Sequence, residues 1–551
     1  MRNFIFLLRS VFGSILKEKE LVILAAILFL GLALRLYNLP GNVLFTYDQT
    51  RDAQRVYDMI YNHDFKLVGP ETDIPGIFHG VFYYYALAIF YFVSQFNPHG
   101  VVFFLTLINL SGIYLLYRTG KDFFSAKVGL LAAFIWAVSF EQISYSRFIS
   151  NPSPMSVTTA IFFISLAYYI FKKNNKALVL SAIAYALSIH LNFFLLYLGI
   201  FYPIFYLIYR PKISLKHITA SILTCTAILG SFIISELKWG FTGTHSLIAF
   251  ANNRHGGLSM VSVLERYIDK LYQTLSLSFL PNHFYASMVF FLLLVIAIWI
   301  ANRSRKKELL FIYVWIFSTF PLFFFQSGVH TTPWINASLF GGLALFFSIA
   351  ANTVIKKVPT IILIIVGIIF LSLNINQLYQ DKFENVRIFA IQRMLLKDTL
   401  NVVDYAYKNS SGKPFSICAV SSPLFINTNW SFTFGLYGNK KYGYLPFWSG
   451  QEQHLNKNNL PLNQNRDYLH FLIIEPQAGI PEIATKITIY TEDKITNLED
   501  EKAFGLTRIQ KRRYPQKAKF TDTQNLSENE IDEFDKILNA DPRYNCFEVY
   551  R

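Results

Sequence analysis

About eleven apolar stretches of near-bilayer length alternate along this chain with short basic gaps, and that alternation constrains the fold more than any other feature. The stretches are Leu21–Tyr37, Val101–Tyr117, Val128–Ile143, Met155–Phe171, Ala177–Ile189 and Phe193–Tyr209. They continue as Ile218–Ser235, Ala286–Ile300, Leu309–Phe325, Trp334–Ala350 and Pro359–Leu373. Only 15% of residues are charged and 53% are hydrophobic, against a soluble norm near ~25% charged. A water-soluble core could not hide that much apolar surface, so a bilayer must solvate it.

The net charge of +15 would fit a nucleic-acid binder, but its placement excludes that class. Basic residues gather in alternate gaps: Arg2, Arg9, Lys17 and Lys19; Arg118, Lys121 and Lys127; Lys172, Lys173 and Lys176. Arg210, Lys212 and Lys216 follow, then Arg303, Arg305, Lys306 and Lys307, then Lys356 and Lys357. This is the positive-inside pattern. It predicts a multi-pass protein of the cell membrane with a cytoplasmic N-terminus. The first stretch has no small-residue cleavage site after it and reads as a retained helix.

One further apolar stretch, Val81–Phe96, breaks the parity of the charges, because the gap after it carries no Lys or Arg. Its dense aromatics suit the interface, so it reads as a juxtamembrane or re-entrant helix. The fold expected is therefore a polytopic α-helical membrane module over residues 1–376, with a first outer loop at 38–79. Residues 377–551 have soluble composition and predict a small extracytoplasmic α/β domain. Its elements would be a helix over Phe383–Tyr407, strands at Phe415–Val420, Tyr468–Ile474 and Phe547–Tyr550, and an acidic helix over Glu528–Leu538. The aromatic segment Trp430–Trp448 could stack on sugars, form core or rest on the membrane. Cys418 and Cys546 both fall in this domain, and a disulfide between them is open to the chain in an oxidising compartment.

The residues able to carry chemistry converge on the outer side. Thr46-Tyr47-Asp48-Gln49-Thr50-Arg51-Asp52 opens a short amphipathic helix; Asp48 suits an N-cap, and Arg51 and Asp52 suit ion pairs on its face. Gly69–Gly80 is a turn-rich loop that ends in His79. Arg147, in Tyr145-Ser146-Arg147, ends a crossing, where a guanidinium is a natural phosphate ligand. His190 sits at the turn of a helical hairpin, Glu236 ends a crossing, and His330 lies in the loop 326–333. Each alone has an ordinary structural explanation; their common side argues for a site.

With those motifs in order, the sequence resembles the C-type-fold glycosyltransferases that use polyprenyl-phosphate sugars, in the branch of protein O-mannosyltransferases and aminoarabinose transferases. The carriers are Tyr47-Asp48-Gln49-Thr50-Arg51-Asp52, then Phe78-His79-Gly80-Val81-Phe82-Tyr83-Tyr84-Tyr85, similar to the family's His-Pro-Pro-Leu-Tyr-Tyr stretch without its prolines, and Tyr145-Ser146-Arg147. The likeness covers roughly residues 20–350. It implies juxtamembrane helices in the first loop, Asp48 as catalytic base, and Arg51, Asp52, His79, Arg147, His190 and His330 around the donor phosphate and substrate. Where many relatives carry an Asp after the Arg, this chain has Asn151, so a metal requirement is in doubt and no cofactor is assigned. The partners implied are a polyprenyl-phosphate-sugar donor, membrane lipid and a protein, lipid or glycan acceptor, with no nucleic acid. A transporter or flippase of lipid-linked sugars is the alternative; it predicts charges buried at mid-membrane, whereas these candidates sit at the outer interface.

Overall fold

A computed structural model describes residues 2–252, 259–279, 293, 296, 307–324, 333–355, 360–384, 386–389, 392–450, 453, 460–462, 469–514 and 526–540. The chain divides into two compact units, Met1–Tyr37 with Asp58–Phe383, and Asn38–Tyr57 with Glu384–Arg551. The sequence boundary at 376/377 lies close to the second division. Residues 38–57 of the first loop go with the C-terminal unit.

The first unit is helical. Among the described residues, five helices are long and apolar enough to cross a bilayer, and up to seven if each of two bent pairs is one span. Four shorter apolar helices accompany them. The expected crossings map onto these elements, except Ala286–Ile300, which lies almost wholly outside the described residues. Phe82–Val93, the stretch that broke the charge parity, has 12 residues. At ~1.5 Å per residue it spans far less than the ~30 Å hydrocarbon core, as a juxtamembrane helix would.

Helices Pro98–Phe123 and Ala126–Val138 form a tight hairpin, and Ser125 Oγ caps the second by accepting from the Val128 N–H. They meet at two glycines: a Cβ on Gly120 would lie 2.6 Å from the Gly129 Cα, and one on Gly129 only 2.3 Å from the Tyr117 carbonyl oxygen. Small residues permit such backbone approach where no hydrophobic force pulls helices together in lipid. Ala126–Val138 then breaks at Ser139 and turns by 56° into Phe140–Arg147.

Among the described residues, the first unit has the short antiparallel pair β1 (Val68–Glu71) and β2 (Phe78–Gly80), and the second unit contains a five-stranded sheet of β3 (Ser416–Val420), β4 (Phe447–Trp448), β5 (Leu469–Ile474), β6 (Asn497–Phe504) and β7 (Thr507–Arg513) in the order β4-β3-β5-β7-β6. Strands β3, β4 and β5 are parallel; β7 and β6 continue antiparallel. The β3 and β5 residues are all buried, as the unbroken apolar pattern of central parallel strands requires. Residues of the first loop make an isolated antiparallel bridge apart from the sheet: the Phe45 N–H donates to the Met394 carbonyl at 3.0 Å and the Leu396 N–H to the Val43 carbonyl at 2.9 Å. That bridge ends the helix expected over Phe383–Tyr407, which is instead Val386–Phe389 and Leu396–Ser410.

The aromatic segment is largely core. Trp430, Phe434 and Trp448 are buried with Phe415 and Phe471, and Tyr437, Tyr442 and Tyr444 pack against them. The acidic helix is present as Glu528–Ala540. Cys418 is disulfide-bonded and Cys225 is a free thiol; Cys546 and the strand expected at 547–550 lie outside the described residues.

Candidate functional site

In the second unit, the segment after the bridge enters the helix Tyr47–Tyr61. Gln49 folds back so that its Oε1 accepts from the Thr46 N–H and hydroxyl, fixing the entry into the helix. Helical spacing then puts Asp48 and Arg51 on one face. Arg51 Nη1 donates to Asp48 Oδ1 at 2.8 Å, while its Nε and Nη2 clamp Asp52 Oδ1 at 3.0 and 2.9 Å. Asp52 is 3% exposed and Asp48 63%, so one carboxylate anchors the guanidinium and the other is presented to solvent by it. Asp48 Oδ2 has no partner among the described residues. Asp48, Arg51 and Asp52, expected to act together, are together.

In the first unit, His79 and His190 are brought together. A Cβ on Gly80 would lie 1.9 Å from His190 Nδ1, so only glycine lets β2 press on the end of helix Asn175–Leu191. The Phe82 N–H points to His190 Nδ1 at 3.4 Å, and the Phe193 N–H donates to His79 Nδ1 at 3.1 Å. His190 Nε2 lies 2.8 Å from the Ile228 carbonyl oxygen, at the end of the helix Leu215–Ile228. Both histidines are thus tied to main chain, and His190 is buried.

Arg147 is held by main-chain carbonyls. It is 1% exposed; Nη1 donates to the Arg35 and Tyr37 carbonyls at 2.6 and 2.9 Å, and Nη2 to the Phe383 carbonyl. Expected on a donor phosphate, the guanidinium here closes the C-terminal end of the first helix, whose last carbonyls have no helical partner. Arg35, which the sequence reading passed over, does the same one layer away. Its donors reach Asn109 Oδ1 and the Gly31, Trp136 and Ala137 carbonyls at 2.8–3.2 Å, the last two freed by the break at Ser139. The signal was an arginine inside an apolar run. His330 lies outside the described residues. No three His, Cys, Asp or Glu side chains converge on a metal-sized point among the described residues.

Two apolar cavities lie in the first unit. One of 720 Å³ is walled by Phe78, Ile189, Phe193, Leu229, Phe232 and Ile233 and reaches Glu236. The other, of 470 Å³, is lined by Tyr169, Tyr185, Tyr202, Pro203 and Ile222. Cys225 lines both, so they adjoin along the bent span of Leu215–Ile228 and Gly230–Lys238. Glu236, expected as a solvated terminus, accepts the Gly243 and Thr244 N–H groups that open the helix Thr242–Asn252.

A polytopic helical bundle followed along the chain by a small α/β domain is an architecture found in known membrane proteins. The sequence model of the dolichyl-phosphate-mannose-protein mannosyltransferase family matches residues 78–239, which include His79, Arg147, His190 and most of the residues lining the larger cavity. Among solved structures, ArnT from Cupriavidus metallidurans bound to undecaprenyl phosphate is similar at a TM-score of 0.53 and 10% identity, over 91% of this chain and 98% of that one. The archaeal oligosaccharyltransferase AglB from Archaeoglobus fulgidus, in complex with an inhibitory peptide and a dolichol-phosphate, scores 0.43 at 12% identity, over 93% and 75%. No curated protein matches the chain in sequence. The family model matches under half of the chain, and the likeness to ArnT is one of fold: a multi-pass helical membrane module with a small C-terminal α/β domain.

Proposed function

We propose that the protein transfers a sugar from a polyprenyl-phosphate donor to a hydroxyl acceptor at the extracytoplasmic face of the cell membrane, with Asp48 as base. The observation that carries this reading is the pair of adjoining apolar cavities at Cys225, lined mostly by the segment that the mannosyltransferase model matches. A cleft with almost no polar lining suits an isoprenoid chain, and its polar rim at Glu236, Gly243 and Thr244 marks where a lipid becomes a headgroup.

The chemistry asks little of the protein. Asp48 Oδ2 takes the proton of the acceptor hydroxyl; the acceptor oxygen attacks the anomeric carbon; the bond from that carbon to the phosphate oxygen breaks. Polyprenyl phosphate leaves with the electron pair, and one displacement inverts the anomeric centre. Phosphate is already a good leaving group, so the base and nearby cations carry the catalysis. Arg51 orients Asp48 and is the cation beside it; Asp52 holds Arg51. His79, His190 and Arg147 hold the β2 loop and the crossing ends around the donor. His330 remains a candidate for the phosphate. Acceptor recognition by the C-terminal domain belongs to the same reading.

The test is transfer from undecaprenyl- and dolichyl-phosphate sugars by wild type and Asp48→Asn in lipid. The variant is expected to lose about 10²–10⁴-fold in rate while still protecting Cys225 from maleimide when polyprenyl phosphate is bound. Equal transfer by both would remove Asp48 from the mechanism. Donor crossing the bilayer without transfer would favour a flippase.

A further inference from the structure

The chain leaves β3 towards β4 on one side of the sheet and leaves β5 towards β7 and β6 on the other. The carboxyl ends of β3 and β5 are therefore a topological switch point, where the following connections part and leave a crevice that open α/β sheets use for ligands. The crevice here has a built floor. Glu475, directly after β5 and 4% exposed, accepts from Trp430 Nε1 at 3.0 Å and from the Ser422 N–H at 2.9 Å, and its own N–H donates to the Val420 carbonyl. Above it opens a cavity of 440 Å³, a volume within the ~300–1,000 Å³ typical of small-ligand sites.

We propose that this cavity is a binding pocket for a neutral saccharide, held between Arg393 and Arg508 over an apolar wall of Ile474, Pro476 and Leu506. The charge balance selects the ligand. Arg393 is paired with Glu384 and Arg508 with Glu501, so the rim has no surplus positive charge for an anion. Guanidinium–carboxylate pairs instead set donors beside acceptors, which suits vicinal hydroxyls that each give one hydrogen bond and take another. The apolar wall meets the C–H face of a pyranose ring. None of these residues belongs to the Asp48 cluster. The inference deepens the transferase reading by giving a glycan acceptor a place, and it rests on that reading for the ligand's role alone.

The experiment is saturation-transfer NMR on the full-length protein in lipid nanodiscs, with neutral hexoses, N-acetylhexosamines and their short oligomers, and a uronic acid as the anionic control. Wild type binds a neutral member of the panel at millimolar concentration. Arg508→Ala, at a side chain 41% exposed and so tolerant of change, weakens binding about tenfold or more. Ala478→Trp, at an exposed position of the pocket, abolishes it by filling the space. Asp48→Asn binds as wild type even when transfer is lost, which separates failure of the pocket from failure of the catalytic reading. Absence of binding to wild type, equal binding by Ala478→Trp, or preference for the uronic acid would each overturn the proposal.

Discussion

Arg35 and Arg512 are both fully buried, and the two units satisfy them by opposite means. In the helical unit Arg35 meets no carboxylate among the described residues; it takes three main-chain carbonyls and one amide oxygen. In the sheet unit Arg512 Nη1 pairs with Asp493 at 2.8 Å and also reaches Thr496 Oγ1. Beside it on β5, His470 lies between Ser416 Oγ at 2.9 Å and Glu492 at 3.2 Å, with Glu492 and Asp493 side by side on helix Glu482–Ile495. The difference follows from the backbone. A helix broken by 56° leaves carbonyls without partners, and a guanidinium can consume them. A sheet ladder uses its own carbonyls, so a buried cation there needs an anion. Lipid-embedded structure thus handles a buried charge through helix breaks, and the water-facing domain through counter-ions.

Removing one partner of the ionic network should show the largest effect. Asp493→Leu strands Arg512 and is expected to cost about 3–5 kcal/mol, with much of it recovered in the double variant Arg512→Met/Asp493→Leu; denaturant unfolding followed by tryptophan fluorescence reads both. A cost under about 1 kcal/mol for the single variant would break the contrast. Glu475 comes next. Desolvation by burial raises its pKa from 4.5 to about 7, against the opposing hydrogen bonds from Ser422, Trp430 and Asn429. The folded domain therefore holds a proton that the unfolded chain releases, so stability is full below the unfolded value and is lost as pH rises towards about 7. The loss amounts to about 3 kcal/mol, and Glu475→Gln should flatten it in thermal melts across that window.

The helical unit should respond to geometry more than to charge. Arg35→Lys keeps the cation but cannot fork to four acceptors, and is expected to cost about 2 kcal/mol. Unchanged thermal stability of that variant in detergent would mean that charge alone matters there. Smallest of all, Lys441→Met removes the half-exposed pair with Asp404 and should move stability by less than about 0.5 kcal/mol in the same melts.

The crossings were legible because a bilayer writes itself into composition: Met155–Lys172 lies within a residue of its predicted bounds. The break at Ser139 was not, since Val128–Ile143 is apolar enough to read as one span. Only Ser139 followed by Glu141 and Gln142 hinted at a cap inside it. In the C-terminal unit β3 and β5 were legible as apolar runs, whereas the hairpin β6–β7 was hidden by its charge; Asn497–Phe504 has no buried residue and no clear alternation. Local chemistry foresaw the Asp48–Arg51–Asp52 cluster, because three residues one helical turn apart suffice to build it. The contacts of Arg147 were hidden for the converse reason. Its partners, Arg35, Tyr37 and Phe383, lie more than a hundred residues away, and sequence spacing carries nothing about them.

The strand-like bridge between Leu44 and Leu395 also sets a clock on biosynthesis. The segment carrying Asp48 leaves the ribosome early, yet the edge it pairs with is made roughly 350 residues later, about 20–70 s at ~5–20 residues per second. Through that interval the helical unit can insert and assemble while residues 43–45 have no backbone partner to pair with. An unfinished or truncated chain that stops before Met394 would therefore carry an assembled helical unit and an unpaired Val43–Phe45 segment, so that this loop gains its anchor only with the C-terminal domain.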